Sequence, residues 1–113
     1  ALFEKVLRVS KDWAGSEQLM YVVGATKADM LERVRAIVPD SFLLVPGVGS
    51  QNGSLEEVAR YGLNDQCGLL VNASRSIIYA DNTEAFASGA AAEAERLRRQ
   101  MADILIKSKL VEV

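Results

Sequence analysis

Three short, continuously apolar runs constrain this chain more than any other feature: Leu19-Met20-Tyr21-Val22-Val23, Phe42-Leu43-Leu44-Val45 and Gly68-Leu69-Leu70-Val71. Each is too short for a helix and rich in residues that suit a pleated, buried surface, so each reads as a strand. They begin near residues 19, 42 and 69, and each interval between them holds one helical pattern. A strand, a helix and a second strand of the same sheet form a βαβ crossover, which makes the strands parallel. Continuous apolarity predicts burial on both faces, as in a doubly wound sheet or an arc of a (β/α)8 barrel. With 113 residues the chain holds one domain at most, well short of the about 250 residues of a whole barrel. Three parallel strands alone would leave two raw edges and an uncovered inward face. A missing N-terminal segment, or another copy of the chain, is expected to finish the structure.

The helical segments follow from spacing and punctuation. Leu2, Phe3, Val6, Val9, Ser10 and Trp13 recur at helical intervals, with Gly15 as the expected C-cap. The chain lacks an initiator Met and opens inside this amphipathic pattern, the expectation for an internal cut in a longer protein. Thr26 is placed to cap a second helix with Met30, Leu31, Val34, Ile37 and Val38 on one face, stopped by Pro39. Ser54-Leu55-Glu56-Glu57 has the form of a capping box, ahead of Val58, Ala59 and Gly62 on an inner face. Thr83 is expected to cap a long last helix, with Phe86, Ala90, Ala94, Leu97, Met101 and Ile104 or Leu105 turned inward. Glu93, Glu95, Arg96, Arg98 and Arg99 form its wet face.

Composition removes whole classes of chemistry. Half the residues are hydrophobic, a quarter are charged and the net charge is -2, which is globular and not disordered. No basic concentration exists to neutralise phosphates along a nucleic acid, so no nucleic-acid partner is expected. The absence of histidine removes the commonest general base and metal ligand, together with every Ser-His or Cys-His pair. Cys67 is alone, so no internal disulfide or CxxC pair can form; it is expected to act as a small buried hydrophobe, and a reducing cytoplasm is the expected setting. No apolar run approaches a membrane span, and no signal-peptide layout opens the chain. Trp13 and the tyrosines read as core or interface filler.

Two loops carry candidate chemistry. Pro46-Gly47-Val48-Gly49-Ser50-Gln51-Asn52-Gly53 follows the second strand, with Gly47, Gly49 and Gly53 falling within seven residues. Such a loop lets backbone amides approach an anion closely. Its spacing, G-x-G-x-x-x-G, satisfies neither the dinucleotide fingerprint nor a Walker loop. The helix start at Ser54 adds a positive dipole end, and Gln51 adds a neutral donor. The other loop, Ala73-Ser74-Arg75-Ser76-Ile77, leaves the third strand. Arg75 stands where strand ends present side chains to ligands, and its fork suits phosphate. Taken separately, the loops could be a flexible turn and a surface arginine. Together they are the last two strand exits in the chain, the position at which (β/α)8 barrels often hold phosphate, which favours an anion site.

These residues resemble a known family. Phe42 to Ser54, followed by Leu70-Val71-Asn72-Ala73-Ser74-Arg75-Ser76-Ile77-Ile78-Tyr79, resembles the C-terminal part of orotidine 5'-phosphate decarboxylase in its longer bacterial form. The paired signatures are P-G-(I/V)-G-x-Q-x-G and S-R-x-I, and the strand exit Val22-Val23-Gly24-Ala25-Thr26 is similar to the preceding strand of that family. The resemblance covers essentially residues 1 to 106. It implies a homodimeric (β/α)8 barrel, of which residues 1–113 would be the C-terminal segment of the single domain, about three βα units. It implies decarboxylation of orotidine monophosphate to uridine monophosphate without any cofactor or metal. Gln51 would lie in the loop that closes on the substrate phosphate, Arg75 and the amides around Ser74 would hold that phosphate, and Gly24, Ala25, Thr26, Pro46, Gly47, Gly49 and Gly53 would line the nucleotide pocket. The family's catalytic array, D-x-K-x-x-D, is missing: Asp12, Asp29, Asp40, Asp65, Asp81 and Asp103 all lack a Lys two positions on. The chain alone is therefore expected to be inactive. Ser50, Asn52 and Ala25 depart from common family residues, which bears on fine pocket contacts. Two other readings remain: a related sugar-phosphate lyase of the same barrel superfamily, and a non-catalytic half-barrel that binds phosphorylated ligands or pairs with itself.

Overall fold

A computed structural model describes residues 1–25, 28–49 and 54–111. The elements run α1 (Leu2–Ser10), β1 (Tyr21–Val22), α2 (Ala28–Ile37), β2 (Leu43–Pro46), α3 (Leu55–Gly62), β3 (Leu69–Asn72), α4 (Arg75–Ile78) and α5 (Phe86–Lys107). The strands form one parallel sheet in the order β1-β2-β3, so the alternating βα order read from the sequence holds. Tyr21 stands opposite Leu43 and Leu43 opposite Leu69, while Val22, Leu44 and Leu70 form the next row across the sheet. Because neighbouring residues of a strand point to opposite faces, these rows have opposite fates.

Burial is one-sided, which corrects the expectation of strands covered on both faces. Leu43, Val45 and Leu69 are buried against the apolar stripes of α2 (Leu31, Val34) and α3 (Leu55, Val58), with Val38 beyond the end of α2 joining the same core. On the other face Val22, Leu44 and Leu70 are 70%, 37% and 49% exposed. All the packed helices lie on one side, and three strands cannot curl round to cover their own inner row. β1 is also shorter than the Leu19–Val23 run: Leu19 is drawn into a turn in which the Gln18 and Leu19 amides both donate to the Gly15 carbonyl.

The helix boundaries differ in instructive ways. α1 ends at Ser10, short of Trp13, and turns Phe3, Leu7 and Ser10 inward, leaving Leu2, Val6, Val9 and Trp13 exposed. Trp13, 71% exposed, is not core filler in this chain. Buried Ser10 is satisfied: its hydroxyl donates to the Leu7 carbonyl at 2.9 Å and lies 2.7 Å from the Tyr21 hydroxyl. Ser54 caps α3 as expected, its hydroxyl accepting from the Glu57 amide. The proposed cap at Thr26 lies outside the described residues. Thr83 does not cap α5, which starts after Ala85. The Asp81 carboxylate accepts from the Thr83 amide and hydroxyl at 2.7 and 2.5 Å, while the Thr83 hydroxyl accepts from the Ala85 amide; this tie holds Asp81 below the usual carboxylate range. Inward, α5 lays Leu97, Met101 and Ile104 against the core, whereas Phe86 stays exposed. Outward, Arg96 pairs with Glu93, and Arg98 and Arg99 with Glu95, whose carboxyl is pulled down to about 2 chiefly by Arg98. Cys67 is half-buried rather than core, in left-handed backbone at φ 73°.

One guanidinium ties the strand entrances together. Arg35 Nε donates to the Gly62 carbonyl at 2.8 Å, Nη1 to those of Val38 and Ser41 at 3.0 and 2.6 Å, and Nη2 to that of Gly68 at 3.0 Å. The end of α3, the α2–β2 turn and the entry to β3 thus share one cation. Burial pulls its pKa down, opposed by Asp40 and then Cys67. Replacing it strands several carbonyls at once, so Arg35→Ala is expected to cost on the order of 2–3 kcal/mol. Arg35→Lys, lacking the planar fork, should restore less than half of that. The shift in urea midpoint at constant slope measures both.

Candidate functional site

The parallel register delivers all three strand exits to one edge of the sheet. Pro46 stands opposite Asn72, so the turn after β2 and the turn after β3 leave side by side. Gly24 and Ala25 leave β1 at the same edge, with Ala25 buried and Gly24 exposed. This is the carboxyl end of a parallel sheet, where α/β folds place ligands.

The β2 exit is anchored by one apolar residue between two glycines. Val48 is buried in the core, while Gly47 and Gly49 take φ of +88° and +91°, which side-chain-bearing residues rarely adopt. A turn pinned at Val48 keeps its flanking backbone near the surface: Pro46 and Gly47 are half-buried and Gly49 is exposed. The β3 exit is built differently. The Asn72 side-chain amide donates to the Ser74 hydroxyl at 3.3 Å, and the Ile78 and Tyr79 amides then donate to the Ser74 and Arg75 carbonyls at 2.9 Å. That closes the single turn α4, whose first amides have no acceptor within the helix. Ser74 and Arg75 are both exposed.

The two exits face each other closely. A methyl group on the Gly49 α-carbon would sit 3.2 Å from Ser76 Oγ and 3.4 Å from its Cβ. Gly49 and the residue next to Arg75 are therefore in direct apposition. The expected residues Pro46, Gly47, Gly49, Ser74 and Arg75 come together on these two turns, with Gly24 and Ala25 one strand away; Thr26, Gln51 and Gly53 lie outside the described residues. Reading the sequence missed Val48 as the anchor, Asn72 as the support of Ser74, and Ser76 as the point of contact. Only Val48 left a signal, as an apolar residue embedded in a glycine loop. Among the described residues no group of three or more His, Cys, Asp and Glu is gathered as metal ligands would be. No described helix is long and apolar enough to cross a membrane.

Two apolar grooves flank the sheet, one reaching Gly24 at the β1 exit and the other Ala73 and Ile77 at the β3 exit. One of about 720 Å³ runs along β1, lined by residues such as Phe3, Val6, Val22 and Met30. Another of about 460 Å³ runs along β3, lined among others by Leu70, Ile77, Leu97 and Met101. Pro46, Gly47, Gly49, Ser74 and Arg75 line neither.

No protein-family model matches the chain. Orotidine 5'-phosphate decarboxylase of Porphyromonas gingivalis is 66% identical over 108 residues, covering 96% of this chain and 39% of that protein. The Bacteroides fragilis enzyme of the same name is 60% identical over 104 residues, covering 92% of this chain and 38% of its own length. The chain is a partial homologue of orotidine 5'-phosphate decarboxylase. It spans about two fifths of the length of these curated relatives. Its fold agrees: the structure of Leishmania donovani OMP decarboxylase superposes with a TM-score of 0.74 at 34% identity, covering 91% of this chain and 38% of that one. The three parallel strands with their helices match a portion of the decarboxylase barrel.

The Gly49–Ser76 apposition generates a direct expectation. Gly49→Ala combines a strained φ with a close contact and should lower stability by about 1–3 kcal/mol. A reduced urea midpoint at unchanged slope is the measurement that checks it.

Proposed function

We propose that this chain is the phosphate-binding, C-terminal portion of an orotidine 5'-phosphate decarboxylase, which as an intact protein converts orotidine monophosphate to uridine monophosphate and carbon dioxide. The apposition of Gly49 and Ser76 supports this reading above all, because it places the glycine turn and the Arg75 turn at one spot. Arg75 is the anion fork, assisted by the open amides of the turn that Ser74 begins. Gln51 approaches the same phosphate from the glycine loop. Pro46, Gly47, Gly49 and Gly53, with Gly24, Ala25 and Thr26, line the nucleotide pocket. No cofactor takes part.

The chemistry at the pyrimidine belongs to the part of the relatives' length that this chain does not span. In the family this chain resembles, loss of carbon dioxide leaves a carbanion-like centre that a lysine protonates, within an Asp and Lys array for which this chain has no counterpart. What this chain contributes is remote binding: phosphate held far from the reacting carbon supplies energy that is used there. The uncovered row Val22, Leu44 and Leu70, and the grooves beside β1 and β3, fit the remaining strands and helices of the barrel, with a second copy completing a cytoplasmic homodimer.

Three experiments test the reading. In the complete polypeptide, Arg75→Ala should raise KM for the nucleotide by one to two orders of magnitude, since a charged hydrogen bond is worth about 1.5–3 kcal/mol; unchanged kcat/KM defeats the assignment. The isolated chain should show no decarboxylation, and activity should appear when it is co-expressed with a polypeptide carrying the D-x-K-x-x-D array. Stronger competition by a simple pentose phosphate than by uridine monophosphate would instead favour a sugar-phosphate lyase.

A further inference from the structure

Ser76 stands out as an unpaired group in the apposition described above. Its Oγ is closed to solvent, and it has no hydrogen-bond partner among the described residues. A buried hydroxyl without a partner is disfavoured by about 1–3 kcal/mol, and an alanine would fill nearly the same space without that cost. The neighbour facing it is Gly49: 3.2 Å separates Oγ from the place a Cβ would occupy there, so only a residue without a side chain fits opposite the hydroxyl. On one side of this contact lies the turn pinned by Val48, and on the other the exposed Arg75. The hydroxyl thus faces the glycine turn from the Arg75 turn, with no hydrogen-bond partner among the described residues of either.

We infer that Ser76 is a positioning residue for the phosphate site, its hydroxyl engaging a backbone polar group at Gly49 when an anion is bound and thereby setting the gap between the glycine turn and the Arg75 turn. Because Oγ is closed to solvent, Ser76 acts through the turn and does not itself contact the phosphate. The small volumes of both residues belong to the same device. Glycine at 49 admits the hydroxyl, and serine at 76 supplies a donor without bulk. This inference rests on the phosphate-binding reading of Arg75.

The test compares Ser76→Ala with Arg75→Ala in the complete decarboxylase polypeptide, using orotidine monophosphate and orotidine, the same nucleoside without phosphate. Thermal unfolding of each variant checks that the fold is kept. Ser76→Ala should lower kcat/KM for the nucleotide about tenfold, the value of one hydrogen bond, mainly through KM. It should leave kcat/KM for orotidine unchanged. An equal fall for both substrates would mean a merely structural serine, and no change for either would mean an idle hydroxyl; each overturns the inference. If Ser76→Ala does not fold, Ser76→Cys, which keeps a side chain of similar shape and loses the strong donor, carries the same comparison. Should Arg75→Ala fail to distinguish nucleotide from nucleoside, the phosphate reading itself falls. If it distinguishes them and Ser76→Ala does not, only the role of Ser76 falls.

Discussion

Parallel pairing in register is the constraint on which everything else in this chain depends. With Tyr21, Leu43 and Leu69 in one row and Pro46 opposite Asn72, every strand enters at one edge and leaves at the other. Crossovers of a single hand then place the helices on one face, and α2 and α3 bury Leu43, Val45 and Leu69 there. The same register aligns the glycine turn with the Arg75 turn, so the candidate site is a by-product of the pairing.

How much was readable beforehand follows from what each residue pattern encodes. The apolar runs announce strands because they are too short for a helix and rich in residues suited to a pleated surface, and their spacing announces parallel crossovers. Ser54 was readable as a cap because a side-chain oxygen three residues before a Glu has a local partner, the Glu57 amide. Thr83 was not, because Asp81 competes for its hydroxyl and amide, and two short-range hydrogen bonds outweigh a cap that periodicity alone suggests. The inward stripe of α1 was not assignable from spacing: Ser10 is polar yet buried, bonded to the Leu7 carbonyl and beside the Tyr21 hydroxyl, while equally periodic Val6, Val9 and Trp13 face outward. Periodicity identifies a helix and leaves open which of two apolar stripes meets the core.

The site divides along the same line. Arg75 and the glycines were visible as residue types suited to anions, and their shared edge follows from strand order. The contact at Ser76 was invisible, because it joins residues 27 positions apart whose side chains carry no pattern. Arg35 was equally silent: its acceptors are backbone carbonyls, which every residue possesses and no sequence motif marks.

The position of Arg35 has its own consequence. Its acceptors lie on the rim from which the strands are entered, on the carbonyls of Val38, Pro39, Ser41, Gly62 and Gly68, whereas the turns proposed to face the anion lie where strands end. Cohesion and the proposed recognition therefore occupy opposite rims of the sheet, with the length of the strands between them. An architecture divided in this way lets lineages rewrite the ligand-facing rim, residue by residue, without loosening the clasp that keeps the helices on the sheet.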